Sequence, residues 1–160
     1  MITIKPIEES NIFKVLNLDV FINQRECVAT NAESLAEAYL CVINNGKVHP
    51  FAIFNDQEVI GFIMISYGVD DAYKNAPEIA YNNYCIWRFM IDKKYQKRGY
   101  GKIAFKLALD YIKSFPDGRA NYCYLSYDPK NKVAKNLYHE FGFVETGEMD
   151  DDEIIAALKL

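Results

Sequence analysis

The chain has 160 residues, of which 51% are hydrophobic and 25% are charged, and its formal net charge is −4. This length and composition predict a single globular domain over residues 1–160 with a core of its own. No segment approaches the ~18 consecutive uncharged apolar residues of a membrane helix, and the N-terminal residues lack the basic and apolar regions of a secretory signal. We therefore expect a cytoplasmic protein without a membrane partner.

Cysteine and histidine usage argues against disulfides and against a metal centre. The four cysteines are widely spaced, lie in apolar surroundings and form no C-x-x-C pair, which is typical of buried thiols in a reducing compartment. The chain has only two histidines, His49 and His139, and no Cys/His cluster. We therefore expect no metal ion.

The N-terminal third predicts one short strand and two helices. Ile2-Thr3-Ile4 alternates as a strand does, and Ser10 or Asn11 can cap a first helix. A second helix is predicted from Asn31 or Ser34 to Ile43. Its apolar face is expected to contain Leu35, Ala38, Tyr39 and Val42.

The middle of the chain predicts a hairpin, a long loop and a central strand. Residues 50–54 and 59–66 read as two strands joined by a turn at 55–58. Residues 67–83 are rich in Gly, Pro, Asn, Asp and Tyr, which is typical of a loop that either carries function or merely connects. Cys85-Ile86-Trp87-Arg88-Phe89-Met90-Ile91 is apolar except for Arg88 and predicts a buried strand.

The C-terminal half predicts two more helices and three more strands. A helix begins near Tyr100 and ends before Pro116, and residues 122–127 form the next strand. A further helix follows and ends at Gly142, with closing strands at 143–144 and 154–158. The first of these helices is expected to bury Ile103, Ala104, Leu107, Ala108, Tyr111 and Ile112, and the second Val133, Ala134, Leu137, Tyr138 and Phe141.

Positive charge is concentrated in the segment between the central strand and the helix at Tyr100. Residues 93–102 contain five cations and no anion, so the other 150 residues sum to −9. The segment holds two glycines and leads into a helix N-terminus, whose free N–H groups and positive dipole end attract anions. This coincidence predicts a phosphate site. One short basic patch on an acidic protein is too small a footprint for nucleic acid.

Two readings of this glycine loop are open from the residues alone. Gly99-Tyr100-Gly101-Lys102-Ile103-Ala104 fits G-x-G-x-x-A, the dinucleotide fingerprint, which would indicate a nucleotide-dependent oxidoreductase. That fingerprint needs its first glycine almost directly after the strand, whereas residues 92–98 intervene here. A Walker-type phosphate loop is excluded because no G-K-S or G-K-T is present.

The chain resembles the GNAT superfamily of acetyl-CoA-dependent N-acetyltransferases in two blocks. Gln96, Gly99 and Gly101 fill that family's Gln/Arg-x-x-Gly-x-Gly/Ala pattern between the fourth strand and third helix. The second block is Asn131-x-x-Ala134-x-x-Leu137-Tyr138-x-x-Phe141-Gly142-Phe143. Residues 87–92 additionally resemble the bacterial spermine/spermidine (diamine) acetyltransferase branch.

The resemblance implies an α/β (α+β) fold of the GNAT type. Its sheet would be mixed and mostly antiparallel, with about seven strands flanked by helices. The fourth and fifth strands would splay apart, and the pantetheine arm of the co-substrate acetyl-CoA would lie between them.

The resemblance also implies roles for particular residues in binding CoA. The backbone of Phe89, Met90 and Ile91 would contact the pantetheine arm, and one N–H there would polarise the thioester carbonyl. Asn131 would bind the arm with its side-chain amide, in the block that also contains Ala134. The pyrophosphate would be held by the loop residues Gln96, Lys97, Arg98, Gly99, Tyr100 and Gly101, together with Lys102.

Tyr138 matches the family tyrosine that protonates the departing thiolate. A phenol of pKa about 10 can serve a thiolate whose acid has a pKa of about 8.5 if the contact is direct. The alternative for Tyr138 is a core aromatic residue at helical spacing. The group that takes a proton from the amine is not identified by the sequence. Glu78, Tyr81 and Asp92 lie near enough to be considered but stay outside the catalytic assignment.

We therefore predict an acetyltransferase that acts by direct attack of a primary amine on the thioester. A polyamine such as spermidine or spermine is the leading substrate, and a protein or peptide lysine or N-terminus is the first alternative. A non-catalytic acyl-CoA-binding module is a more distant one. The oligomeric state is left open, a homodimer included. Acidic residues that would attract a cationic substrate are expected at Asp19, Glu26, Asp70, Asp71 and Glu78.

Overall fold

The computed structural model describes all residues, 1–160, and is built on one seven-stranded sheet. The strand order is β1-β2-β3-β4-β5-β7-β6. Every neighbouring pair is antiparallel except β4–β5, which is parallel. The predicted mixed, mostly antiparallel sheet is therefore confirmed. The strands are β1 (Ile2–Pro6), β2 (Lys47–Asn55), β3 (Glu58–Tyr67), β4 (Tyr84–Ile91), β5 (Tyr122–Tyr127), β6 (Val144–Asp150) and β7 (Glu153–Lys159).

Four α-helices and two short 3₁₀ helices accompany the sheet. The 3₁₀ helices lie at Ile22–Gln24 and Glu78–Ala80. No helix has the length and apolar character that crossing a membrane requires. The α-helices are α1 (Ile12–Leu16), α2 (Asn31–Ile43), α3 (Tyr100–Lys113) and α4 (Lys132–Glu140).

The sheet opens between its two central strands. β4 and β5 pair only at Tyr84 with Cys123 and at Cys85 with Tyr124, although β4 continues to Ile91 and β5 to Tyr127. Beyond Cys85 the two strands diverge, and one backbone edge of each is left without a neighbouring strand. The predicted splay between the fourth and fifth strands is confirmed.

Helices cover both faces of the sheet, so each face buries its own apolar cluster. On one face α3 contributes Phe105 and α4 contributes Tyr138 to the larger cluster. On the other face Val15 of α1 and Ala38 of α2 pack on Phe62 and neighbouring strand residues. Burial of this apolar area is the main stabilising contribution to such a fold.

The predicted apolar face of α2 is partly wrong. Tyr39 and Val42 are exposed, and the buried side of the helix is lined by Asn31, Ser34, Ala38 and Cys41. Asn31 is buried because its amide donates to the carbonyl oxygen of Val15 at 2.8 Å, which offsets the cost of removing a polar group from water. Hydropathy alone does not indicate such a polar residue as buried.

The bounds of α3 and α4 match the prediction, but Ile103 and Val133, which were predicted to be buried, are exposed. Ile103 is 48% exposed and Phe105 is fully buried. Val133 of α4 is 75% exposed. In α3, apolar residues occupy well over half of the circumference, so periodicity gives the helix but not the orientation of its buried face.

Candidate active site

A cavity of about 1380 Å³ lies in the opening between β4 and β5. It is larger than the ~300–1000 Å³ typical of a site for one drug-sized ligand, so it has room for more than one such ligand. Its walls include most of the residues predicted to bind CoA; of these, only Arg98 and Gly99 are not part of the wall. Tyr138, the predicted proton donor, also lines the cavity. The lining members of the predicted CoA-binding set are Phe89, Met90, Ile91, Gln96, Lys97, Tyr100, Gly101, Lys102, Asn131 and Ala134.

The glycine loop presents a continuous run of free backbone donors. None of the backbone N–H groups of residues 96–102 donates a hydrogen bond within the protein, and the first intrahelical bond of α3 is from Ile103 N to Gly99 O. Lys97 and Gly99 both have positive φ, +61° and +79°. Such left-handed residues curve consecutive N–H groups towards a common centre, which forms an anion-binding concavity. Gly99 is therefore required for its backbone conformation although it does not line the cavity.

The Gln96 side chain fixes the loop rather than facing a ligand. Its amide nitrogen donates to the carbonyl oxygen of Ile91 and to the side chain of Gln24, both at 2.9 Å. Gln24 donates back to the Gln96 amide oxygen at 3.2 Å. Gln96 thus ties the loop to the end of β4 and to the 3₁₀ helix at Ile22–Gln24. Gln24 lies far away in sequence, so this partner was not predicted.

Three of the five cations in residues 93–102, Lys94 among them, have no acidic partner. Lys102 pairs with Glu140, and Lys93 pairs with Asp19 at 2.7 Å. Arg98 has no carboxylate partner and lies over the ring of Tyr95 at 5.7 Å, while Lys97 lines the cavity without an ion pair. The local excess of positive charge therefore persists at the cradle.

The phenol oxygen of Tyr138 has no hydrogen-bond partner in the protein. The residue is 8% exposed, lines the cavity and packs against Phe105, Tyr127 and Phe143. Burial is the main cause that raises the pKa of Tyr138 above its ordinary value, and the negative charge of Glu153 adds to it. The phenol is therefore held protonated and available as a proton donor.

Asn131 has a second function that the sequence did not indicate. Its side-chain oxygen accepts a hydrogen bond from Ala134 N at 3.1 Å and caps the N-terminus of α4. The amide NH₂ makes no hydrogen bond within the protein, and the residue lines the cavity. The cap therefore turns the donor half of the amide towards the space that a ligand would occupy.

Several acidic residues line the cavity, but the predicted set is only partly right. Glu26 and Asp70 line the cavity, whereas Asp71 and Glu78 do not. Asp19 does not line the cavity either. Its carboxylate forms ion pairs with Arg25 and Lys93, which hold its pKa well below the usual range. Long-range folding adds a group that the sequence did not indicate, at the turn between β6 and β7: Asp150, Asp151, Asp152 and Glu153.

The residues considered as proton acceptors do not line the cavity. Asp92 is buried outside the cavity, where its carboxylate accepts backbone N–H groups of Asp19 and Lys94 at 2.9 Å each. Glu78 and Tyr81 do not line the cavity either. Arg88, which had no assigned role, pairs with Glu37 of α2 at 2.9 Å.

Comparisons with known proteins agree with this geometry. The model of the "Acetyltransferase (GNAT) family" matches residues 17–143. The chain is 30% identical over 151 residues to a "Probable spermine N(1)-acetyltransferase" of Bacillus subtilis subsp. natto, which covers 93% of this chain and 91% of that protein.

Solved structures share the fold at low sequence identity. The PaiA N-acetyltransferase of Thermoplasma acidophilum, in complex with coenzyme A, has a TM-score of 0.71 at 17% identity and covers 100% of this chain and 99% of its own. The spermidine N-acetyltransferase of Vibrio cholerae, in complex with CoA and spermine, has a TM-score of 0.68 at 19% identity, with 99% and 94% covered.

Proposed function

Because the chain belongs to the GNAT family of acetyltransferases, we propose that it moves the acetyl group of acetyl-CoA to a primary amine of a polyamine such as spermidine or spermine. The observation that carries the polyamine assignment is the charge of the cavity wall. Eight carboxylates line it against four cations, and three of those cations already pair with carboxylates outside the cavity.

The residues present fit the CoA part of acetyl-CoA. The free N–H groups of residues 96–102 form a cradle for a pyrophosphate, and Lys97 and Arg98 add positive charge. The unpaired edge of β4 beyond Cys85 offers backbone groups of Phe89, Met90 and Ile91 to an extended pantetheine arm, in the way that a neighbouring strand would be bound. The Asn131 amide donor faces the same space.

The chemistry follows from where the protein places proton donors. The acetyl thioester of acetyl-CoA supplies an activated carbonyl, so the protein has to orient the amine, stabilise negative charge on the carbonyl oxygen and protonate the leaving sulfur. A backbone N–H at the free edge of β4 serves the oxygen. Tyr138, protonated and without a protein partner, donates to the sulfur.

Two further features support a cationic acceptor. The carboxylates belong to separate parts of the chain and meet around one opening, which suits a ligand that carries several positive charges along its length. The relative with 30% identity is itself named a probable spermine N(1)-acetyltransferase.

The test is a panel of acceptors assayed by thiol release from acetyl-CoA. Spermidine, spermine, a monoamine of similar length, a lysine peptide and an aminoglycoside are compared by kcat/KM. We expect the polyamines to exceed the monoamine by at least about tenfold, because each additional ion pair in a partly enclosed cleft contributes about 1–2 kcal/mol. A peptide preferred over both polyamines would instead support the protein-amine alternative.

A further inference from the structure

Strand alternation places Ser126 on the face of the sheet opposite Tyr138. Cys123, Leu125 and Tyr127 of β5 point into the cluster under α3 and α4, where Tyr127 packs on Tyr138 with ring centroids 5.7 Å apart. Successive side chains of a strand point to opposite faces, so Ser126 points the other way. It lies two residues beyond the last pairing of β4 with β5, and it therefore forms part of the wall of the opening on the side opposite α3 and α4.

Ser126 holds the carboxylate of Glu153 at this wall. The Ser126 hydroxyl donates a hydrogen bond to Oε2 of Glu153. Ser126 pairs with Ile155 across β5 and β7, so Glu153 is its diagonal neighbour on the same face. The other carboxylate oxygen of Glu153 has no hydrogen-bond partner, and no lysine or arginine pairs with the residue. Glu153 is half-buried and lines the cavity.

The other carboxylates of the cavity are less suited to meet an amine at the reacting centre. Asp150 is held by the hydroxyl of Tyr73 at 3.1 Å, and Glu33 is engaged in the N-terminal cap of α2. Asp70 caps its own loop through two backbone N–H groups. Asp151 and Asp152 are exposed on the tip of the turn. Asp128 is fixed by the backbone N–H of Lys130 in the loop after β5. Glu153 differs from these carboxylates because a side chain of β5 itself holds it at the opening, where its second oxygen is free.

The charges around Glu153 come from several elements. Tyr138 faces it from α4, and burial together with the charge of Glu153 keeps the pKa of that phenol raised. Cys27, before α2, has its pKa raised by burial and then by Asp128, Glu26 and Glu153. The positive charge of Lys130 lowers the pKa of Cys27 and partly offsets this rise. The titratable and charged groups that surround the site are thus Tyr138, Cys27, Glu26, Asp128, Lys130 and Asp150.

We infer that Glu153, oriented by Ser126, accepts the proton of the acceptor ammonium, so that the neutral amine attacks from the face opposite Tyr138. This inference rests on the proposed function. One proton moves from the ammonium to Glu153 and then to solvent through the open cleft. The amine nitrogen forms a bond to the acetyl carbon, the carbon–sulfur bond breaks, and Tyr138 protonates the sulfur. The second proton that the nitrogen loses restores the Tyr138 phenol.

Glu153→Gln tests the inference through its pH profile. At pH 7 a primary amine with a pKa of about 10.4 is almost fully charged, so loss of the acceptor should lower kcat/KM for spermidine by about 100-fold. Near pH 10 much of the amine is already neutral, and the deficit should shrink to within about threefold. Tyr138 remains a proton donor there because its pKa is raised.

Matched variants separate this role from a structural one. Glu148→Gln makes the same change on the same hairpin, outside the cavity, and should behave as wild type. Ser126→Ala should lower kcat/KM for spermidine by about tenfold at pH 7. Ser126→Thr keeps the hydroxyl and should restore most of that kcat/KM. Affinity for CoA should stay within about twofold in all variants.

The outcomes are distinct. If Glu153→Gln does not lower kcat/KM for spermidine, or lowers it equally at pH 7 and pH 10, the inference is overturned while the proposed function stands. A wild-type protein that acetylates no amine in the panel overturns both.

Discussion

At the scale of single residues, the packing around Tyr138 supports its proposed role as a proton donor. Its ring is held by three aromatic neighbours, and its hydroxyl is left without a partner in a cavity that holds room for a thioester. The ring is buried, and the hydroxyl, which has no protein partner, is free to hydrogen-bond a ligand in the cavity. The chain has twelve tyrosines, and composition alone does not distinguish this one from the others.

Replacing Tyr138 by phenylalanine should lower kcat by about 10²–10³-fold, because the departing sulfur loses its proton donor. The ring and its packing remain, so affinity for CoA should stay within about twofold. Steady-state rates of thiol release and calorimetric CoA titration measure the two effects. Tyr122→Phe removes a partly exposed hydroxyl outside the cavity and serves as the control. A kcat equal to that of wild type would remove Tyr138 as the acid.

At the scale of elements, the side chain of Asn131 caps the N-terminus of α4 and is also proposed to bind CoA. The oxygen of the Asn131 amide caps the helix, and its nitrogen is free on the cavity side. The motif that contains Asn131 could be recognised in the sequence. The sequence did not indicate that the amide oxygen caps the helix while the amide nitrogen stays free, because this depends on the conformation of the side chain.

Two substitutions of Asn131 separate these roles. Asn131→Asp keeps a capping oxygen and removes the NH₂ donor, so thermal stability should be preserved while the Kd for CoA rises by about fivefold to tenfold. Asn131→Ala loses the cap as well and should additionally lower the free energy of unfolding by about 1 kcal/mol. Thermal melts and CoA titrations measure both. Equal CoA affinity in all three proteins would contradict a role for the amide in binding.

The glycine loop offers a second prediction at this scale, since Gly99 has φ +79° and no atom within 4 Å of a Cβ placed there. A valine would meet no clash but would be strained in the left-handed region by about 1–2 kcal/mol. We expect the loop to relax out of its cradle conformation, so that the Kd for CoA rises by at least about tenfold.

Gly147 provides the matched control for this loop. It has φ +87°, equally open space and a position in β6 outside the cavity. Gly147→Val should lose comparable stability without loss of CoA affinity. If Gly99→Val binds CoA as tightly as Gly147→Val does, the placement of the pyrophosphate is wrong.

The elements themselves were largely predictable, and the orientation of some was not. Local signals define α2 well: Thr30 and Glu33 form a capping box at its start. Which side of α2 is buried depends on Asn31 reaching the Val15 carbonyl, a contact between two helices. Likewise Phe105, rather than Ile103, fills the centre of the cluster beneath α3 because of the side chains that surround it. Sequence periodicity contains no information on such partners.

At the scale of the whole molecule, the fold separates charge into two regions that meet at one opening. The cations of residues 93–102 lie within one ten-residue segment, so the sequence alone indicated their clustering. The acidic side is assembled from parts of the chain that are distant in sequence, with Glu26, Asp70 and the turn at 150–153 brought together by the strand order β4-β5-β7-β6. The clustering of the turn with the other acids is a consequence of topology, and for that reason the sequence did not indicate it.

This separation predicts different salt responses for different acceptors. If the acidic side binds a polyamine through several ion pairs, raising ionic strength from about 0.02 to 0.5 M shortens the Debye length from roughly 20 Å to roughly 4 Å and weakens each of them. The KM for spermidine should then rise by about tenfold or more, and the KM for a monoamine by only about twofold.

Both acceptors are measured at saturating acetyl-CoA, so that weaker binding of its phosphates does not enter the comparison. Neutral osmolyte at matched osmolarity controls for effects on folding. Parallel salt dependence for the two acceptors would mean that the carboxylates of the cavity contact only the amine that is acetylated.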